Sequence, residues 1–137
     1  MRIIALDPGT KRVGVAISDE LKLIAQPLEF IAATPFTGLV ERLQVLLAEK
    51  QVELILVGMP RNMDGSFGPA AAKTEEFVAA LKEVVNVPIK TLDERLTSVQ
   101  ANRLLIQGNV RRDKRKQKVD QTAAAILLQT YLDQLAG

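Results

Sequence analysis

Short apolar stretches separated by turn residues predict three strands in the first part of the chain. Residues 2–7 are apolar on both faces of a strand, which is typical of the middle of a sheet. Turn residues at 8–11 lead into residues 13–18, where β-branched side chains alternate with small ones, so these segments predict a hairpin. A third strand is predicted from residue 23 to about residue 33, with an interruption or a bulge near Pro27 because proline cannot donate to a ladder.

Helical periodicity begins after the third strand. Thr34 is predicted to be the N-cap of a helix and Pro35 its first helical residue. Residues 54–58 then form a fully apolar segment, which predicts a strand parallel to the first because a helix connects the two. The helix is expected to bury one apolar face that consists of Leu39, Val40, Leu43, Leu46 and Leu47.

The second half of the chain continues the alternation of helices and strands. Residues 59–68 are rich in Gly, Pro, Asn and Asp and predict a loop, after which Pro69 opens a second helix. Residues 87–92 predict a fifth strand, residues 97–108 a short helix, and residues 117–135 a final helix. The second helix is expected to bury Phe77, Leu81, Val84 and Val85.

The order of these elements indicates the fold class. Three antiparallel strands followed by two strands that are reached through helical crossovers predict an α/β fold with a mixed five-stranded sheet and helices on both faces. The sequence contains no internal repeat and no linker of low complexity. We therefore expect residues 1–137 to form a single domain.

Composition restricts the chemistry that is available to the chain. Its 137 residues are 47% hydrophobic and include no cysteine and no histidine. A disulfide scaffold, a thiolate zinc site and a histidine general base are therefore excluded. Acid–base and metal chemistry would fall mainly to Asp and Glu, whose oxygens suit Mg²⁺ or Mn²⁺. The apolar runs are too short to span a bilayer and no signal peptide is recognisable, so we expect a cytoplasmic protein without a membrane partner.

Positive charge is concentrated in a basic segment, residues 103–118, although the formal net charge of the chain is only +2. A run of this kind predicts binding to the phosphates of a nucleic acid. The alternative is a solvated loop without a partner. The cationic residues of the segment are Arg103, Arg111, Arg112, Lys114, Arg115, Lys116 and Lys118, and Asp113 is the one acid among them.

Two acidic positions follow predicted buried strands. Asp7 ends the first strand, where a carboxylate is costly unless it is hydrogen-bonded, paired or bound to a metal. Asp93, Glu94 and Arg95 follow the fifth strand, and acids at the ends of neighbouring strands can converge at one edge of a sheet. The structural alternatives are that Asp7 accepts hydrogen bonds in the turn after it, and that the second group caps the next helix.

A third acid is predicted near the start of the last helix. Asp120 shares a helical stripe with Ala124, Leu127, Tyr131 and Leu135, so its side chain is expected to face the sheet. The helix dipole favours an acid in the first turn by roughly 0.3–1 kcal/mol, but it does not select the buried face. Three carboxylates that bind one or two divalent ions would explain both features, since without cations the acids would repel one another.

Four segments in this order resemble the signatures of a known family. They are ALDPGTKRVGVA at residues 5–16, VGMPRNMDGS at residues 57–66, DERLT at residues 93–97, and KVD at residues 118–120 followed by a pair of alanines. The chain is similar to the YqgF (RuvX) family over nearly its whole length. Members of that family are RuvC-like proteins of the RNase H-like fold, and they are described as Holliday junction resolvases and as pre-16S rRNA nucleases.

The resemblance implies an endonuclease that depends on one or two Mg²⁺ or Mn²⁺ ions and acts on structured nucleic acid. Asp7, Glu94 and Asp120 match the acidic positions of the family, which implies that they are catalytic and bind the metal. Asp93 is the acid whose role is most easily confused with that of Glu94, and Ser98 stands where a second Thr is common. Expected substrate contacts are Lys11, Arg12, Arg61, Asn62, Arg95, Thr97, Arg111, Arg112, Lys114, Arg115, Lys116 and Lys118.

The substrate and two alternative functions stay open at this point. Structured RNA is favoured over a four-way DNA junction, because a junction resolvase would be expected to dimerise and no surplus apolar helix stripe is assigned to a dimer interface. A monomer or a weak homodimer is expected. One alternative function is a nucleic-acid-binding protein without catalytic activity. Another follows from residues 7–10, which resemble the first phosphate loop of actin- and hexokinase-like ATPases, although those proteins need two such domains.

Overall fold

A mixed five-stranded sheet forms the centre of the protein. The computed structural model describes residues 1–60, 68–94 and 122–136. The strands lie in the order β3-β2-β1-β4-β5, with the β1–β2 and β2–β3 pairs antiparallel and the β1–β4 and β4–β5 pairs parallel. In chain order the elements are β1 (Arg2–Pro8), β2 (Arg12–Ser18), β3 (Ala25–Ala32), α1 (Phe36–Glu49), β4 (Val52–Met59), α2 (Pro69–Val84), β5 (Ile89–Asp93) and α3 (Ala123–Ala136).

Helices cover both faces of the sheet, as the sequence predicts. Side chains of β1 alternate between two buried clusters, so that Ile4 and Leu6 face α1 and α2, whereas Ile3 and Ala5 face α3. The central position of β1 explains why its sequence is apolar on both faces. In the part of the chain that the structure describes, no helix combines the length and the apolar character needed to cross a membrane.

The third strand confirms the predicted irregularity near Pro27. The register between β2 and β3 shifts after Val15, so that Ala16 lies opposite Pro27. The strand begins at Ala25, two residues later than predicted, because the backbone N–H groups of Leu23 and Ile24 donate to the Asp19 carboxylate in the preceding turn. The fifth strand is also displaced from its predicted position and runs from Ile89 to Asp93.

The predicted N-cap of α1 is wrong. The cap is Pro35, whose ψ of 152° is extended, and the helix begins at Phe36. The carbonyl oxygen of Pro35 accepts hydrogen bonds from the N–H groups of Gly38 and Leu39, so the first turn is closed without a side chain from Thr34. The predicted apolar face of the helix is confirmed: Leu39, Leu43 and Leu46 are buried, and Val40 and Leu47 pack against them.

The α2 helix begins at Pro69 as predicted, but its buried stripe differs at the end. Phe77, Leu81 and Val85 pack in the core, whereas Val84 is 41% exposed. The chain leaves the helix at Val85, which is extended and turns its side chain inward, so the last helical residue is left at the surface. The helical spacing of apolar residues in the sequence does not indicate where the backbone leaves the helix.

The α3 helix begins later than its predicted start near residue 117. Thr122 lies outside the helix, and its hydroxyl accepts a hydrogen bond from the N–H of Ala125, as an N-cap residue does. Asp120 lies outside the described residues, so its predicted place on the buried stripe of this helix stays a prediction. Ala124, Leu127 and Tyr131 are buried as predicted, but Leu135 is 56% exposed.

Candidate active site

Asp7 lies near the carboxyl end of the central strand, between glycines on both neighbouring strands. It is paired with Gly14 of β2. On the other side, Leu6 is paired with Val57, and the same register places Asp7 level with Gly58 of β4. Strand alternation directs the Asp7 side chain to the face that α3 covers, together with Ala5. The half-buried carboxylate of Asp7 therefore has space on both sides that larger residues would fill.

The space over Gly58 is used by Glu94. A β-carbon at residue 58 would lie 3.0 Å from Oε1 of Glu94 and 3.1 Å from Cδ2 of Leu127. Glu94 is only 7% exposed, and the short distance from residue 58 places its carboxylate close to the backbone of β4. Asp7 and Glu94 therefore lie on the same face of the sheet, and Gly58 lies between them.

The structure distinguishes Glu94 from its neighbour Asp93. Leu92 packs with the residues that face α3, and alternation along β5 directs Asp93 to the opposite face. Asp93 is half-buried and is paired with Met59. Glu94, not Asp93, therefore shares the face of Asp7.

A cavity of about 410 Å³ opens where these strands end. Both acids line it, and the first half of α2 forms one of its walls. On that wall Thr74 is buried and its hydroxyl donates to the carbonyl of Ala70, while Lys73 is exposed. The lining residues are Asp7, Pro8, Gly9, Thr10, Val13, Ala33, Gly58, Pro60, Ala70, Lys73, Thr74, Phe77 and Glu94.

A tight turn joins Asp7 to the predicted substrate-binding residues Lys11 and Arg12. The N–H of Gly9 donates to the carbonyl of Arg12 at 3.0 Å, and a β-carbon at residue 9 would lie 2.7 Å from that oxygen. A side chain at residue 9 would therefore displace the backbone of the turn. Lys11 is exposed, and its carbonyl accepts a hydrogen bond from the N–H of Ala33.

Arg12 is exposed at the start of β2, on the same face as Gly14 and Asp7. Its guanidinium lies over the ring of Phe30, 4.0 Å from the ring centroid. A cation is thus placed beyond the carboxylates at the same end of the sheet.

Most of the predicted site residues lie outside the described ranges. The structure brings together Asp7 and Glu94 and places Lys11 and Arg12 in the adjoining turn. The predictions for the remaining residues are therefore not tested by geometry. These residues are Asp120, Arg61, Asn62, Arg95, Thr97, Arg111, Arg112, Lys114, Arg115, Lys116 and Lys118.

Three described residues at the site were not predicted from the sequence. Gly58 appeared in an apolar strand and in the VGMPRNMDGS motif, but neither pattern indicated that Glu94 would lie over it. Lys73 had no signal beyond an ordinary exposed position on a helix. Phe30 is 50% exposed, which is unexpected because aromatic residues make up only 4% of the chain. Its exposure follows from the register of β3 at the edge of the sheet, which the sequence does not specify.

The fold and the position of these acids define a protein of the RNase H-like class. A solved structure of Thermus thermophilus RuvC aligns with 99% of this chain and 97% of its own, with 15% identity and a TM-score of 0.55. The predicted fold class is thereby confirmed. A family profile described as "RuvX: Holliday junction resolvase" matches residues 1–134, and the chain belongs to this RuvX family.

Relatives with much higher identity extend over almost the whole chain. One from Halothermothrix orenii is 49% identical over 134 residues, which cover 97% of this chain and 95% of the relative. One from Desulforamulus reducens is 48% identical over 133 residues, which cover 97% of each. Both relatives carry the name "Putative pre-16S rRNA nuclease". The resemblance that the sequence motifs indicate is therefore confirmed at the level of the family.

Proposed function

We propose that this protein is a metal-dependent endonuclease that hydrolyses phosphodiester bonds in structured nucleic acid. The convergence of Asp7 and Glu94 on one cavity at the end of the sheet carries this proposal. Hydrolysis adds one water across a P–O bond and leaves a phosphomonoester and a hydroxyl at the new ends. We assign this activity to residues 1–137 as one domain, and we place the protein in the cytoplasm.

The donor atoms at the cavity suit Mg²⁺ or Mn²⁺. Asp7 and Glu94 offer hard carboxylate oxygens, and the chain contains neither histidine nor cysteine to favour a softer metal. The absent side chain of Gly58 leaves the room that the Glu94 carboxylate needs to face the site. One or two bound ions would supply Lewis acidity for the attack of water and for the departure of the leaving oxygen.

Asp120 is proposed as the third carboxylate. Across residues 1–60, 68–94 and 122–136, no group of three possible metal ligands occurs. The first turn of α3 supports a position for Asp120 near the site, because Cβ of Ala124 lies 3.8 Å from the place of a β-carbon on Gly14, which is paired with Asp7. Asp120 precedes the N-cap Thr122 by two residues.

The proposed substrate is the precursor of 16S rRNA, with cleavage at its 5′ end during ribosome biogenesis. This choice is supported by the two relatives named "Putative pre-16S rRNA nuclease", which are 48% and 49% identical over 97% of the chain. The family description favours a four-way DNA junction as the second candidate. One assay separates them: cleavage of a 5′-extended 16S rRNA fragment and of a four-way junction, side by side, with Mg²⁺, Mn²⁺ or a chelator. Cleavage of the RNA alone supports the first substrate, and binding without any cleavage would support a non-catalytic binding protein.

We expect Lys73→Gln to weaken substrate binding because Lys73 lines the cavity that holds both acids. A lysine that contacts one phosphate should contribute about one unit to the slope of log K against log salt. The affinity of the RNA fragment, measured at several salt concentrations, should therefore fall and its slope should decrease by about 1. Lys82→Gln is the matched control, since Lys82 lies in the last turn of the same helix. Equal slopes for the two variants would contradict the role of Lys73.

The basic segment is expected to contribute more to the affinity for RNA than Lys73 does. Replacing its five central cations with Gln should weaken binding and flatten the dependence on salt, because each phosphate contact releases counterions. The same titration measures both effects, and an unaltered slope would show that the segment is only a solvated loop. The residues to replace are Arg111, Arg112, Lys114, Arg115 and Lys116.

A further inference from the structure

One row of residues crosses four strands at the level of Asp7. Phe30 of β3 is paired with Gly14 of β2, and Gly14 is paired with Asp7 of β1. On the other side of Asp7, the register between β1 and β4 places Gly58 in the same row. An exposed aromatic ring is therefore separated from the proposed catalytic carboxylate by a single glycine, and the ring approaches the space over that glycine.

The ring of Phe30 supports the guanidinium of Arg12. The guanidinium carbon lies 4.0 Å from the ring centroid, which is within the range of a cation–π contact. Arg12 forms no ion pair with any residue in the ranges that the structure describes. Phe30 is instead the partner that limits the directions in which the guanidinium can point.

A guanidinium held flat on a ring presents its N–H edges to the surroundings. Those edges match the geometry of two phosphate oxygens, which an ammonium group cannot do. The Cα atoms of Arg12 and Asp7 are one strand and two residues apart, which is roughly 8 Å by ordinary strand spacing. A phosphate next to a bond held at Asp7 is therefore within reach of the long Arg12 side chain.

We infer that Arg12 and Phe30 together form a phosphate clamp for the nucleotide next to the cleaved bond, in which Arg12 binds the phosphate and Phe30 is a positioning residue. The inference rests on the proposed function, since it takes a nucleic-acid strand as the ligand. It adds a determinant on the β2–β3 side of Asp7, away from both the α2 wall and the basic segment.

A double-mutant cycle tests the clamp. The Kd of a fluorescein-labelled 5′-extended 16S rRNA fragment is measured with a chelator present, for the Arg12→Gln and Phe30→Leu variants and for the double variant. We expect Arg12→Gln to weaken binding about tenfold and Phe30→Leu about threefold, in line with a partly exposed cation–π contact. In the Arg12→Gln background, Phe30→Leu should have no further effect, because the group that it positions is gone.

Further variants separate positioning from stability. Phe30→Tyr keeps a ring under the guanidinium and should retain the Kd of the unmodified protein, whereas Arg12→Lys keeps the charge but loses the planar fork and should lose about threefold. Arg42→Gln is the control. Arg42 belongs to α1, and its guanidinium donates to Glu29 of β3 at 2.7 and 2.8 Å, on the face of β3 opposite to Phe30. Thermal unfolding of each variant identifies any loss of the fold.

The outcomes also distinguish this inference from the proposed function. Equal losses from Phe30→Leu with and without Arg12 would overturn the clamp, even if the protein cleaves RNA. Coupling between the two residues supports the clamp even if no cleavage is found, because binding is measured without metal. Phe30→Tyr that binds as weakly as Phe30→Leu would likewise overturn it.

Discussion

Asp7→Asn is expected to reduce cleavage by more than about 100-fold while changing substrate affinity little. The amide keeps the shape of the side chain but removes the negative charge that a divalent ion requires. Affinity for nucleic acid comes mainly from contacts with phosphates, so it should survive the substitution. Single-turnover cleavage with Mn²⁺ and a binding titration with a chelator measure the two effects separately. Unchanged turnover would eliminate the proposed carboxylate site.

The neighbouring acids near the end of β5 provide a matched comparison for Asp7→Asn. Glu94→Gln should lose activity to a similar extent, because Glu94 shares the cavity with Asp7. Asp93→Asn should retain most of the activity, since Asp93 lies on the opposite face of the strand. Loss of activity in Asp93→Asn with full activity in Glu94→Gln would show that the roles are reversed.

Gly58→Ala is expected to have the second largest effect, although it removes no functional group. The added β-carbon would lie 3.0 Å from Oε1 of Glu94 and 3.1 Å from Cδ2 of Leu127, which is closer than ordinary contact. The Glu94 carboxylate and the end of the Leu127 side chain would each have to give way by a few tenths of an ångström, which disturbs the position of the carboxylate beside Asp7. We expect cleavage to fall by more than about tenfold and the free energy of unfolding to fall by about 1–3 kcal/mol, as in other overpacked sites.

Gly38→Ala is the control for the added methyl group. A β-carbon at Gly38 would lie 3.8 Å from Cγ of Pro35, which is ordinary contact, and Gly38 lies within α1. This variant should gain about 0.5–1 kcal/mol in the free energy of unfolding and keep its cleavage rate. Chemical denaturation and the RNA cleavage assay provide both measurements. If Gly58→Ala cleaves as fast as Gly38→Ala, the space over β4 is not important for the site.

Much of the fold could be predicted because its central elements bury most of their apolar side chains. The apolar run in β1 and the apolar helical stripe in α1 are each compatible with few secondary structures, and both predictions were confirmed. The ends of elements were less predictable. Pro35 and Thr122 cap their helices because of local backbone geometry, which the apolar period does not specify.

The candidate site was predictable in its residue types but not in its arrangement. The absence of histidine directs attention to acids, and the motifs single out Asp7 and Glu94. The choice between Asp93 and Glu94 depends on the phase of β5, which one sequence does not reveal. Gly58 and Phe30 acquire their importance from the register between strands that are far apart in the chain.

The order of the strands has a consequence for synthesis of the protein. Asp7 is translated with the first hairpin, whereas Glu94 follows β5 and α3 comes later still in the chain. A nascent chain that has reached only β4 therefore contains one of the two described carboxylates and lacks the helix that covers their face. On the proposed assignment, in which Asp7 and Glu94 both hold the metal, the nascent chain cannot cut RNA before Glu94 has been translated and has folded against β4.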